Sequence, residues 1–106
     1  MAIDYFGHTD RDDANTLLAQ ARAAHPEWFD TILLLYDARP FKYPFEAEIS
    51  REFGIAATRT FMLSVNDKEA FWEVIEDALD YLYGLFGTER LAITHGFDSV
   101  RPPPAA

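Results

Sequence analysis

The sequence predicts an α+β domain, a two-layer sandwich in which a four-stranded mixed sheet packs against two main helices. Two segments, 10–25 and 66–87, repeat apolar residues at the spacing of one helix face. Residues 58–65 alternate apolar and polar side chains, as a strand with one buried face does. The chain has 106 residues, 49% of them hydrophobic, which fits a single core. The predicted order is β-α-β-(short α)-β-α-β, with one domain over residues 1–100 and a Pro-rich flexible tail over 101–106.

The first strand and the first helix are predicted from the N-terminal segment. Residues 2–6 alternate in the manner of a short strand, and Thr9 is the expected N-cap of the following helix. We expect three aspartates in its first turn, where the helix dipole favours anions: Asp10, Asp12 and Asp13. The apolar stripe of this helix consists of Ala14, Leu17, Leu18 and Ala21.

The segment 31–37 is continuously apolar in its middle, as expected for a central strand that is covered on both faces. A two-layer fold leaves one sheet face open, so Leu33 and Leu35 then need a further cover. We expect this cover to be the short helix, the aromatic loop over 36–45 or a second copy of the chain, and the last of these would make the protein a homodimer. Residues 38–46 contain two prolines, neither of which can donate to a strand ladder, and predict an irregular loop.

The second half of the chain predicts a short helix, a strand, a long helix and a last strand. The short helix spans 46–54 and ends at Gly54. The strand 58–65 directs Phe61, Leu63 and Val65 towards the core. The long helix begins at an Asn66 N-cap and places an apolar stripe, which includes Phe71, against the sheet. The last strand spans 90–97.

Composition and charge exclude several classes of function. The chain carries 9 Lys and Arg against 18 Asp and Glu, a formal net charge of −9, which argues against direct binding of nucleic acid or of an anionic membrane. It has no cysteine, so disulfides, thiolate metal sites and thiol catalysis are excluded. The N-terminus does not resemble a signal peptide, and no apolar run reaches the length of a membrane span. We therefore expect a cytoplasmic protein.

The long helix carries a row of carboxylates at steps of four, three and four residues. We call this row the acidic stripe, and it consists of Glu69, Glu73, Glu76, Asp77 and Asp80. Like charges at these spacings destabilise a helix by about 0.2–0.5 kcal/mol per pair. One interpretation is a solvated face that keeps the protein soluble. The other is a docking surface that imitates nucleic-acid phosphates and selects a cationic partner.

An aromatic loop spans residues 36–45 and allows two interpretations. Its aromatic side chains surround two prolines and two cations, and they are Tyr36, Phe41, Tyr43 and Phe45. The loop either folds over the sheet with its aromatic rings in the core, or presents them to a partner. In the second case the anchors are Arg39, Phe41 and Tyr43, since aromatic and arginine side chains dominate interface hot spots.

Catalytic and metal-binding motifs are weakly represented. His8 with the three nearby aspartates offers ligands for a divalent metal, but helix capping explains the aspartates equally well. The chain lacks a nucleophile elbow and a Gly-rich phosphate loop. We therefore predict no catalytic residue, no metal site and no cofactor. The alternative is a small dimeric enzyme or ligand-binding domain with a pocket near His8 and His95.

The sequence thus predicts a small acidic, non-enzymatic binding protein that blocks a basic, nucleic-acid-binding protein partner, such as a nuclease. Proteins of this size and charge include anti-CRISPR proteins encoded by phages and immunity proteins that neutralise nuclease toxins. Both would act as nucleic-acid mimics. The predicted partner-binding residues are those of the acidic stripe together with Arg39, Phe41 and Tyr43.

Overall fold

The computed structural model describes residues 4–52, 54–67, 69, 71–95 and 99–101. The helical elements are α1 (Ala14–Ala24), a π-helical turn (Trp28–Ile32), α2 (Pro44–Glu52) and α3 (Trp72–Phe86). The strands are β1 (Asp4–Thr9), β2 (Leu33–Leu35), β3 (Arg39–Pro40), β4 (Arg59–Val65), β5 (Leu91–His95) and β6 (Ser99–Arg101).

The six strands form one antiparallel sheet in the order β2-β4-β1-β5-β6, and β3 pairs with β4 on the same edge as β2. The α+β class is confirmed, but the predicted four-stranded mixed sheet is wrong. β1 and β5 are neighbours and run antiparallel. β3 and β6 add two strands too short for alternation to reveal. Pro40 is tolerated in β3 because an edge strand needs no donor on its outer side.

β2 is an edge strand, so the prediction of a central strand over 31–37 is wrong. Thr31 and Ile32 belong to the π-helical turn, which leaves three residues for the strand. Leu33 and Leu35 are buried in the core of the single chain, which removes the reason for expecting self-association. Arg22 of α1 donates to the carbonyl of Leu35 at 2.8 Å and so blocks part of the open edge.

The main core lies between one sheet face and the layer formed by α1, α3 and the π-helical turn. The predicted stripe of α1 is buried as expected, and so are alternate residues of β1, β4 and β5. α1 begins at Ala14, however, and its first turn contains no acidic residue. Thr9 ends β1 instead of capping α1, because its hydroxyl donates to the carbonyl of Arg90 at 2.6 Å. Asp10 and Asp13 pair with Arg90 and Arg11.

α2 and the residues beside it cover part of the opposite sheet face. Ile55 and Ala57, which follow α2, pack with Ala92 of β5 and with Phe41 from the aromatic loop. Beyond this cover, Phe6 of β1 is only half-buried. The loop predicted over 38–46 therefore contains β3 and the first turn of α2, which Pro44 begins. Proline suits the first helical position because its nitrogen has no partner there in any case.

α3 begins at Trp72 with Phe71 as its N-cap, five residues later than the predicted N-cap Asn66. The side chain of Asn66 donates to the carbonyl of Thr31 at 3.0 Å, and its backbone N–H donates to Ile32. Asn66 therefore fastens the end of β4 to the π-helical turn and cannot cap a helix. Phe71 takes the N-cap position, so Glu69 lies before the helix.

The ends of the chain depart from the prediction where the structure describes them. β1 extends to Thr9, whereas residues 2–3 of the predicted first strand lie outside the described residues. β6 takes in Arg101, the first residue of the predicted tail, and 102–106 also lie outside them. In the described part of the chain, no helix combines the length and the apolar character needed to cross a membrane.

Candidate partner-binding surface

The acidic stripe divides into exposed and half-buried carboxylates. Glu73 and Asp77 are exposed on α3, one turn apart, and Glu69 is exposed in the segment before the helix. Glu76 and Asp80 are half-buried and each engages a further group of the protein. The structure thus leaves Glu73 and Asp77 as the helical carboxylates that project furthest into solvent.

Four ion pairs that arginines form among the described residues lie away from the acidic stripe. The pairs are Arg11–Asp13 at 2.7 Å, Arg22–Asp37 at 2.9 Å, Arg39–Glu46 at 3.2 Å and Arg90–Asp10 at 3.0 Å. Among the described residues, no Lys or Arg forms an ion pair with Glu73 or Asp77. Since an exposed carboxylate without a counter-charge contributes a negative potential to the surface, this part of α3 attracts cations.

Two large aromatic side chains lie beside the acidic stripe at the start of α3. Phe71 is 78% exposed and Trp72 is 52% exposed. Phe71 stands at the N-cap, where Ser, Thr, Asp or Asn would stabilise the helix by bonding a free N–H, and it makes no such bond. The helical periodicity assigned Phe71 to the core, so sequence reasoning missed this exposed pair. The sequence feature that could have indicated their exposure is the placement of two adjacent aromatic residues directly before the acidic part of the helix.

The aromatic loop combines both interpretations given by the sequence. Tyr43 and Phe45 are exposed, and their rings stack at 5.5 Å. Phe41 is half-buried, 6.3 Å from the His8 ring, and acts as part of the cover over the sheet. Arg39 is bound to the buried carboxylate of Glu46. Of the three predicted anchors, Tyr43 is therefore the one whose side chain is exposed.

A layer of buried polar side chains lies beneath α2. His8 and Thr60 pair across β1 and β4, and neither His8 Nδ1 nor Thr60 Oγ1 has a hydrogen-bond partner among the described residues. Burial lowers the pKa of His8, and the nearby Glu46 carboxylate opposes that shift in part. His8 Nε2 lies 3.5 Å from the hydroxyl of Thr94.

The two histidines of the alternative pocket, His8 and His95, lie on opposite faces of the sheet. In an antiparallel pair, residues opposite each other share a face, and successive residues alternate. Ala92 pairs with His8, so His95, three residues later, lies on the other face, where its ring stacks on Tyr5 at 5.1 Å. Within the described residues, no group of three His, Asp or Glu side chains is placed to hold a metal ion.

A cleft of about 300 Å³ opens on the sheet face that α2 leaves uncovered. One wall of the cleft is the uncovered face of β1 and β4, and the other wall is the segment that joins β2 to β3. Its lining residues are Phe6, Tyr36, Asp37, Arg39, Thr60, Phe61 and Met62. The cleft depends on pairing between distant strands, so no sequence pattern predicted it.

Comparison with known proteins places this geometry in a family. No curated protein matches the sequence. Among solved structures, the fold is similar to a chain of the "CdiA-CT/CdiI toxin and immunity complex from Burkholderia pseudomallei", with 27% sequence identity and a TM-score of 0.84 over 96% of this chain and 99% of that chain. The family model described as "CDI System Immunity Component" matches residues 1–99. The chain therefore belongs to the CDI system immunity component family.

Proposed function

We propose that this immunity protein neutralises a toxin domain by binding it with the acidic stripe of α3 and covering a cationic, nucleic-acid-binding groove of the toxin. Membership of the family supports the immunity class over the anti-CRISPR class. The similar solved structure is that of a toxin and immunity complex, which supports a toxin as the protein partner.

The observation that carries the proposal is the pattern of ion pairs. Four arginines pair with carboxylates elsewhere, while Glu73 and Asp77 stay exposed without a cation among the described residues. Four residues of α3 separate Glu73 from Asp77, about 6 Å along the helix axis. Carboxylates spread over this length match a groove lined with Lys and Arg and speed its encounter with the protein.

The aromatic pair at the start of α3 adds the apolar part of the interface. Interfaces draw most of their binding free energy from a few large side chains in a dry centre, with charged groups around them. Phe71 and Trp72 are large and exposed, and they adjoin Glu69 and Glu73. Arginine side chains of the toxin can stack on these rings while their guanidinium groups pair with the carboxylates.

In this role the protein acts in the cytoplasm by binding and catalyses no reaction. Inhibition then requires occupancy of the toxin and consumes one immunity protein for each toxin domain. A chain without cysteine is suited to a reducing compartment, since it needs no disulfide to fold.

The experiment is a competition between the immunity protein and a nucleic-acid substrate for the purified cognate toxin domain. We expect stoichiometric loss of both nucleic-acid binding and toxin activity, measured by fluorescence anisotropy and by substrate cleavage. A complex that forms while the toxin still binds its substrate fully would contradict coverage of the groove. Loss of activity at far less than one equivalent would contradict a non-enzymatic mechanism.

A further inference from the structure

α2 meets the sheet through polar side chains. Among the side chains of α2 that the structure describes, the two buried ones are Glu46 and Ser50, which lie one turn apart and are 4% and 1% exposed. The sheet face beneath α2 carries the buried side chains of His8, Thr60 and Thr94. Because helices in proteins are held in place mainly by burying an apolar face, a helix that packs on a polar layer is held weakly.

α2 is fastened to the rest of the fold near its two ends. Arg39 of β3 pairs with the buried Glu46 carboxylate at 3.2 Å. Ile55 and Ala57, which follow the helix, pack on Ala92 of β5. α1 and α3, in contrast, each bury an apolar stripe in the main core. Since segments with few buried apolar contacts open at a lower free energy than the core, α2 is the helix most suited to opening by itself.

His8 makes the closed position of α2 sensitive to protons. Its ring is 1% exposed, Nδ1 has no hydrogen-bond partner among the described residues, and burial lowers its pKa below the ordinary value of 6.5. The nearby Glu46 carboxylate favours the imidazolium but is outweighed by burial, and that carboxylate is itself bound to Arg39. β4 and β5 face the ring with the uncharged side chains of Thr60 and Thr94. A proton on His8 is therefore unfavourable while α2 is closed and favourable once water reaches the ring.

We propose that α2 is a cover that opens as a unit, without unfolding of the main core, when His8 takes up a proton. Water then solvates the imidazolium and the other polar side chains of the layer, which offsets part of the free energy needed to lift the helix. The uncovered surface is continuous with the cleft, because Phe6 and Met62 pair across β1 and β4 on the same face as His8. The cover is independent of the proposed function, since it involves no residue of the acidic stripe.

A single introduced cysteine reports the opening, because the natural chain has none. Ser50→Cys is nearly isosteric and places a thiol on the buried face of α2, whereas Ala21→Cys places one at a buried position of α1 in the main core. The rate of labelling by a dithiodipyridine reagent, divided by the rate for the urea-unfolded chain at the same pH, gives the open fraction at each site. We expect Ser50→Cys to react at least about tenfold faster than Ala21→Cys at pH 7.5. Equal rates would show that α2 opens only together with the whole fold, and would overturn the proposal.

The role of His8 is tested by the pH dependence of this labelling. Between pH 7.5 and 5.5 the relative rate of Ser50→Cys should rise about three- to tenfold, tenfold being the limit for a group whose pKa is 6.5 in the open form and far lower in the closed form. His8→Leu should remove the rise, and His8→Gln serves as the second variant should His8→Leu unfold, as judged by its melting temperature. A rate that does not change with pH, or an equal rise in a folded variant without His8, overturns the assignment of the trigger.

The fastening of α2 is tested with Glu46→Gln. This change removes the ion pair with Arg39, so Ser50→Cys should react at least about threefold faster at both pH values. Glu48→Gln, at an exposed position of the same helix, should change the rate less than about twofold. Labelling that is the same in the two variants would contradict a cover that is held closed by the Arg39–Glu46 pair.

Discussion

Gly7 lets the Phe61 ring pack directly against the backbone of β1, and replacing it with alanine should destabilise the fold strongly. Gly7 lies in β1 between Phe61 of β4 and Ile93 of β5. A Cβ atom at this position would stand 2.2 Å from Phe61 Cζ and 2.5 and 2.7 Å from two further ring atoms. Carbon atoms in contact prefer about 3.5–4.0 Å. The ring would therefore have to move by more than 1 Å.

The Phe61 ring has little room for that movement. It is 2% exposed and stacks on Phe86 with ring centroids 5.5 Å apart. Overpacking of a filled core costs about 1–3 kcal/mol, and we expect Gly7→Ala at the upper end of this range. For a domain of this size, each kcal/mol shifts the melting temperature by roughly 4–8 °C, so the variant should melt at least 10 °C lower.

Gly84→Ala provides the matched control for thermal and urea denaturation. Gly84 lies within α3, is exposed, and has no atom within 4 Å of an added Cβ. Alanine should stabilise the helix there by about 0.5–1 kcal/mol. Combining Gly7→Ala with Phe61→Leu should restore part of the lost stability, since the smaller side chain leaves room. A Gly7→Ala variant that melts within two degrees of the wild-type protein would refute the reasoning.

Two further predictions concern His8 and the start of α3. Burial lowers the pKa of His8 below its ordinary value of 6.5, so the unfolded chain takes up this proton first, and the stability present above pH 6.5 is lost as the pH falls below it. Urea titrations at pH 7.5 and 5.5 give the difference in the free energy of unfolding between the two pH values, and His8→Leu should reduce this difference by up to about 1.4 kcal/mol. A difference that is the same in the variant and in the wild-type protein would contradict a buried neutral imidazole. Phe71→Asp should raise stability by about 0.5–1 kcal/mol, because aspartate caps the helix and complements its dipole, yet it should weaken toxin binding. Denaturation and titration calorimetry measure the two effects, and a variant whose toxin affinity equals that of the wild-type protein would show that the Phe71 ring lies outside the interface.

The predictions from the sequence were most accurate where the burial of a single helix or strand determines its pattern of apolar residues. Alternation in 58–65 and the helical stripe of α1 were confirmed, because each element has one face on the core. Strand direction was not predictable, since it depends on how the intervening helices cross the sheet. β3 spans two residues, too few for any periodicity. The start of α3 was misplaced because Asn66 caps helices in general but here bonds to the π-helical turn.

The charged part of the candidate site could be predicted from the sequence, whereas its aromatic part and the cleft could not. The carboxylates of the acidic stripe are visible in sequence, since charge and spacing need no tertiary structure. The exposure of Phe71 was not visible, because an aromatic residue at helical spacing is usually part of the core. The cleft beside Thr60 requires the register of β1 against β4 and the path of the segment leading to β3. No local pattern encodes such a juxtaposition.

The most direct test of the acidic stripe is the affinity of the cognate toxin domain for two double variants of equal net charge. Glu73→Lys with Asp77→Lys reverses the exposed carboxylates of α3, and Glu52→Lys with Glu89→Lys reverses exposed carboxylates elsewhere. Titration calorimetry at about 0.05 and 0.2 M salt separates local pairing from overall charge, since the Debye length is about 10 Å at 0.1 M. We predict at least a hundredfold loss and a weaker salt dependence for the first variant, and less than a fivefold loss for the second. Equal affinities of the two variants at both salt concentrations would contradict the assignment of α3 as the toxin-binding surface.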